Sequence, residues 1–270
     1  MDAAPSQQGP KKPETGQCNL DKAAINLNGL RDVCRNELVR LLASIDGGTK
    51  ARKALIIDPK LAGPLGLLIE FDFLKAQGAD KIYILAANKL DVPADVKHIV
   101  YLIRPHALFM NWAADQINAL KDTRPFSFTI LTVPRTTVIC EHILEQQKLT
   151  GVVRLDPFHM DLIPFDTDVL SLEIPTALKE NFVEGDSSSL YYVARALMKM
   201  QGMYGVIPHI KGKGVTSQQI ATMMLKMRRE MQLGLTQTEQ PAISEVILID
   251  RLVDPITPLL TMLTYEGLVD

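Results

Sequence analysis

Residues 54–59 read Ala54-Leu55-Ile56-Ile57-Asp58-Pro59, four apolar side chains in a row stopped by an acid and a proline. A short apolar run without polar alternation suits a strand covered on both faces, as in a parallel sheet. The pattern recurs at Ile82 to Leu85, Ile99 to Ile103 and Phe126 to Val133. Between these runs the spacing turns helical: residues 65–77, stopped by Gly78, then 107–120, then 136–148. Upstream, Leu30, Val33, Cys34, Leu38, Leu41, Leu42 and Ile45 share one helix face, with Asn28 as candidate cap and Gly47-Gly48 as the stop. Each run alone fits a strand or a buried helix segment. Their alternation predicts an α/β fold built on an open, mostly parallel sheet.

This first domain is assigned to residues 26–150, behind a tail (1–25) whose Pro, Gln, Gly and Lys content predicts disorder. Residues 151–270 read as the first, incomplete segment of a second α/β domain. Val152 to Leu155 and Val169 to Leu172 are weak strands, and Leu190 to Tyr204 is a helix with a cap drawn from Ser187 to Ser189. Ile220, Met223, Met224, Met227 and Met231 mark another helix, residues 234–241 a polar linker, and Val246 to Ile249 a last strand. Three strands are few for such a domain.

A net charge of -2 on 270 residues offers no electrostatic case for nucleic acid. Cys18, Cys34 and Cys140 are widely spaced, with no CxxC pair and no disulfide framework, which points to a reducing compartment. The first residues lack the apolar core of a secretory signal, and no apolar run nears the ~20 residues that span a bilayer. A cytosolic protein with at most a peripheral membrane role is expected.

Few residues invite chemistry. Gly212-Lys213-Gly214 suggests a phosphate loop, but a P-loop needs Gly where Ile207 stands and Ser or Thr where Gly214 stands. A glycine turn before a capped helix is the better account. Asp250 closes the last strand, where a magnesium-dependent phosphohydrolase would place its nucleophile. Such a site needs a converging second carboxylate, and Asp254 lies four positions on with Arg251 between. The plain alternative is an ion pair pinning strand to helix. His98, His106, His142, His159 and His209 are scattered, with no HExxH and no cysteine at ligand spacing, so no metal or cofactor is implied. The methionine stripe from Met198 to Met231 fits core packing or an adaptable partner groove. Lys211, Lys213, Lys226, Arg228 and Arg229 fit a solvated face or a surface for anionic lipid or an acidic partner. Lys60, Arg104 and Arg135 each follow a strand beside a proline, where open α/β sheets meet ligands. Charged loop tips would look the same.

The last stretch carries a family pattern. Leu248-Ile249-Asp250-Arg251, Asp254, Thr257-Pro258 and Thr264-Tyr265-Glu266-Gly267 resemble the signature of the SM (Sec-1/Munc-18-like) family, and Tyr265-Glu266-Gly267 its vacuolar/lysosomal branch. Asp161 to Asp166, Ser171-Leu172-Glu173, Tyr204-Gly205 to Ile207-Pro208, Gly212 to Gly214, Val133-Pro134-Arg135 and Ile103-Arg104-Pro105 match too, so the resemblance runs from about Asn26 onward. Leu252 departs from it, standing where the branch carries a polar residue.

The resemblance implies a non-enzymatic regulator that binds SNARE helices and templates membrane fusion at endosomes, vacuoles or lysosomes. HOPS and CORVET tethering subunits are implied as partners. Lys60, Arg104 and Arg135 become candidate partner contacts on a cleft wall. Asp250, Arg251, Asp254, Thr257, Pro258, Tyr265, Glu266 and Gly267 become structural signature residues. Thr257-Pro258 by itself fits a helix start, with a hydroxyl to cap free N–H groups and a ring that pre-sets φ. The family's third domain, and the chain that returns to complete its second, are expected to be missing from these 270 residues. A truncated chain without independent function is the further alternative.

Overall fold

The computed structural model describes residues 25, 27–166, 168–231 and 242–269. The tail before residue 25, Cys18 and the linker 234–241 lie outside them. The first unit comprises α1 (Asn28–Asp46), β1 (Lys53–Ile57), α2 (Pro59–Leu68), α3 (Phe71–Ala76), β2 (Lys81–Ile84), β3 (His98–Ile103), α4 (Ala107–Leu120), β4 (Ser127–Thr132), α5 (Val138–Gln146) and β5 (Val153–Pro157).

All five strands are parallel, in the order β2-β1-β3-β4-β5. The continuous apolar runs follow from a sheet covered on both faces. Leu55, Ile57, Val100, Leu102 and Leu131 pack beneath α1 to α3 with Cys34, Leu38 and Leu42. Ala54, Ile56, Tyr101 and Ile130 face α4 and α5, meeting Met110, Ala113 and Ile117. Each such Leu or Ile contributes about 1.5–3 kcal/mol through burial. The fifth strand comes from beyond residue 150, so the sheet continues past the boundary expected there.

Two helices occupy the stretch 59–76 rather than one. Asp58 accepts from Lys60 N at 2.9 Å and starts α2 at once, with Pro59 in the first turn, where its missing N–H costs nothing. Ile69 then turns extended and drops into the core, 2% exposed, before α3 restarts. α1 begins at Asn28 itself, with Leu27 in the preceding position, and stops at Gly47 in the left-handed region (φ 64°). Its last residue, Asp46, pairs with the buried Lys53 of β1, whose amine also reaches Ala51 O and Gln77 O.

The second unit opens with β6 (Ile163–Pro164), antiparallel to β7 (Leu170–Ser171), and α6 (Ala177–Lys179), which runs into a π-helical turn, Glu180–Glu184. Next come α7 (Ser188–Tyr204), β8 (His209–Lys213), α8 (Val215–Met231) and β9 (Glu245–Ile249), with β8 and β9 parallel. Ser187 holds the N-cap position of α7 without a side-chain cap bond, and Asp186 before it accepts from Ser188 N at 2.8 Å. Leu190, Ala194, Met198, Ile220, Met224 and Leu248 form this unit's core. Leu30 of α1 and Leu27 just before it pack on Leu162 and Ala196, joining the units.

The helix expected from Thr257-Pro258 does not form. Two 3₁₀ turns, Arg251–Val253 and Thr257–Leu259, precede the short α9 (Tyr265–Val269). Leu259, Leu263 and Tyr265 stay 83%, 89% and 88% exposed. Without a surface to bury that apolar stripe, packing adds nothing to the weak propensity of so short a segment.

Candidate functional site

Parallel strands all end on one edge, and helices start there, so the carboxyl edge gathers loops and free helix ends. On this edge the chain leaves β1 at Asp58, β3 at Arg104-Pro105, β4 at Val133-Pro134-Arg135 and β5 toward Met160-Asp161. The loop 172–176 and the start of α7 lean over them, enclosing a cavity of about 450 Å³. Leu61, Val133, Met160, Ile163, Leu172 and Ile174 line it with apolar side chains.

Two of the three cations singled out in the sequence meet here. Arg104 grips Asp58 with both arms, Nε to Oδ2 at 2.6 Å and Nη2 to Oδ1 at 3.1 Å. Asp58 is fully buried. The guanidinium also lies 5.3 Å from the Phe109 ring centroid. Arg104 is therefore spent on holding β1 to β3. Arg135 is exposed, its guanidinium 5.3 Å from the centre of Tyr192 of α7, which Arg195 approaches from 5.8 Å. Arg195 in turn pairs with the buried Asp161. Lys60 is exposed on the same edge, in the first turn of α2, but does not line the cavity.

Tyr192, Glu173 and Glu180 were not marked as site residues by their sequence context. Glu173 sits at φ +49°, a left-handed conformation uncommon outside glycine. Glu180 opens the π-helical turn, a rare element enriched at functional sites. Neither departure has a sequence signature.

The last strand's end does something else. Asp250 is buried and accepts from Leu252 N at 3.1 Å and Thr216 N at 3.2 Å. Burial pushes its carboxyl up, but these N–H groups outweigh it and hold the group below its ordinary value. The expected pin between strand and helix is thus made through main-chain N–H groups at the start of α8. His209 to Lys213 is a strand, Gly214 the turn, and Asp250 fills the helix N-terminus that a phosphate would need.

Asp254 caps the following turn, accepting from Ile256 N and Thr257 N, and Arg251, Thr257, Pro258, Tyr265 and Glu266 are exposed. Gly267 N donates to Thr264 Oγ1. Among the described residues no three His, Cys, Asp or Glu side chains are placed to share a metal ion. Met198 and Met224 are core residues, while Met203, Met227 and Met231 line a groove between α1, α7 and α8.

Sheet order and cavity together define a doubly wound α/β protein with a cavity at the carboxyl edge of its sheet. The sequence model of the Sec1 family matches residues 53–270, and the chain belongs to that family. It is 39% identical over 254 residues to rat vacuolar protein sorting-associated protein 33A, covering 93% of this chain and 42% of the relative. Against the vacuolar protein-sorting-associated protein 33 homolog of Arabidopsis thaliana it is 35% identical over 253 residues, again 93% and 42%. The chain thus spans well under half the length of these curated relatives. The solved structure of the SM protein Vps45 in complex with the Qa SNARE Tlg2 shares the fold, with a TM-score of 0.58 and 13% identity over 91% of this chain and 43% of that one.

Proposed function

We propose that the chain is a SNARE-binding element of the machinery that tethers and fuses vesicles at endosomes, vacuoles or lysosomes. It works with subunits of a HOPS- or CORVET-type tethering complex and does no chemistry of its own. One observation carries this reading: a Sec1-family chain whose relatives are vacuolar sorting proteins shares its fold with a protein solved in complex with a SNARE. A rigid, two-sided sheet supports templating, because a preformed surface that orients partner helices lowers the entropy cost of their assembly. Lys60, Arg104 and Arg135 are the proposed partner edge, with Arg135 the contact and Arg104 the brace beneath it. Membrane association is peripheral, consistent with the described residues holding no helix long and apolar enough to cross a bilayer.

The test is a pull-down of vacuolar and endosomal SNAREs and of tethering subunits, run with this chain and with a full-length relative. Retention of SNAREs by both supports the reading. Retention by neither overturns it, as would magnesium-dependent phosphate-ester hydrolysis lost on Asp250→Asn.

A further inference from the structure

We infer that the cavity at the carboxyl edge accepts a basic residue next to an aliphatic one, presented by the partner helix. The inference rests on the reading above for the partner being a helix, and adds which charge that helix brings. The cations found in the sequence suggest an acidic partner, but the charges around the cavity cancel otherwise. Arg104 is consumed by Asp58, and Asp161 by Arg195. His106 turns Nδ1 to the N–H of Leu108 at the start of α4. Arg135 has Asp186 in its field, which helps to hold that carboxyl below its ordinary value after the larger effect of Ser188.

Glu173 and Glu180 remain. Neither has an ion-pair partner among the described residues; Lys179 lies in the field of Glu180 but pairs with Glu184 at 2.7 Å. Each accepts only a neutral hydroxyl, from Ser171 Oγ at 2.6 Å and Thr176 Oγ1 at 2.5 Å. Both are also delivered by irregular elements, one at φ +49° and one at the head of the π-helical turn. The left-handed conformation of Glu173 costs energy and persists where the surroundings hold it in place, and such outliers cluster at binding sites. Leu61, Met160 and Ile163 form an apolar floor, with Ile174 in the overhanging loop and Tyr192 as an aromatic wall. At about 450 Å³ the space falls within the roughly 300–1,000 Å³ of ligand sites and suits one or two side chains. A Lys or Arg stem lies along apolar surface while its head meets carboxylates, which matches this floor and rim.

Fluorescence polarisation with a labelled, end-blocked Leu-Lys-Leu-Arg peptide and its Leu-Glu-Leu-Glu counterpart tests this. The basic peptide should bind at least about tenfold more tightly, and weaken as salt rises. Glu173→Gln with Glu180→Gln should erase the preference, while Asp122→Asn, at an exposed carboxylate outside the cavity, leaves the basic peptide bound as before. Asp186 is left intact because it accepts from the first N–H of α7, and thermal melts confirm that the variants fold. No binding of the basic peptide, equal affinities, or a preference untouched by the double variant would overturn the inference.

A vacuolar SNARE helix titrated alongside separates the two ideas. If that helix binds and ignores the double variant, the inference fails and the SNARE reading stands. If the basic peptide binds through Glu173 and Glu180 while no SNARE helix does, the SNARE reading fails and the cavity assignment stands.

Discussion

Gly214 and Asp250 touch so closely that a β-carbon added to the glycine would lie 2.3 Å from Cβ of the aspartate and 2.9 Å from its Oδ2. Gly214 turns at φ +105° from β8 into α8, and the Asp250 N–H donates to Lys213 O just before the turn. Strand end, turn and helix start are thus clamped at one point. Gly214→Ala meets both steric overlap and a backbone conformation that L residues avoid. It should cost at least about 2 kcal/mol, read from urea unfolding. Asp250→Ala removes the cap and should cost about 1–2 kcal/mol. A neutral Gly214→Ala would show that the clamp is looser than drawn.

Acid should loosen the same point. Burial raises the Asp250 carboxyl, but the Leu252 and Thr216 N–H groups more than reverse this. Asp46 is likewise raised by burial and lowered further by the hydrogen bond and charge of Lys53. Both folded values lie below the unfolded value of about 3.9, so their contribution is complete above it and is lost as pH falls through the folded values. Thermal melts should hold steady near neutrality and drop below about pH 4. Asp250→Asn should make that acid limb shallower.

Two arginines at the ends of neighbouring strands should behave oppositely. Arg104 compensates a fully buried carboxylate, and removing either partner strands the other. Asp58→Ala and Arg104→Ala should each cost about 3 kcal/mol, somewhat less for the partly exposed arginine, and the double variant less than their sum. Arg135→Ala touches only an exposed π contact and should stay within about 0.5 kcal/mol. Urea unfolding of the four variants checks this. Equal losses at Arg104 and Arg135 would contradict the division of labour between brace and contact.

The contrast shows where sequence reading stops. β1, β3 and β4 are legible because strands buried on both faces must be apolar throughout. α4 is legible at both ends because Pro105 and the apolar period bound it. β8 is not, since His209-Ile210-Lys211-Gly212-Lys213 carries no strand pattern and is a strand only because β9 lies beside it. The position of Arg104 and Arg135 at strand ends followed from their flanking prolines. Their different duties did not, because Asp58 and Tyr192 lie 46 and 57 residues away in sequence (104 minus 58, 192 minus 135). Long-range pairing leaves no local trace.

The outer face of the β8–β9 pair sets the last prediction. Side chains alternate along a strand, so Val246 and Leu248 enter the core under α7 and α8 while Ile247 and Ile249 point away, 64% and 71% exposed. Among the described residues two strands form this sheet, which leaves N–H and C=O groups without strand partners there along both outer edges. Leu259, Leu260, Met262 and Leu263 extend the apolar surface beyond it. An uncovered apolar face beside a free strand edge is a template for pairing with another chain. The purified chain should therefore self-associate with rising concentration in light scattering. Ile247→Lys with Ile249→Lys should shift it toward monomer without loss of helix content, because neither side chain contributes to the core. A wild-type chain that stays monomeric at tens of micromolar would mean that this face repels copies of itself despite its composition.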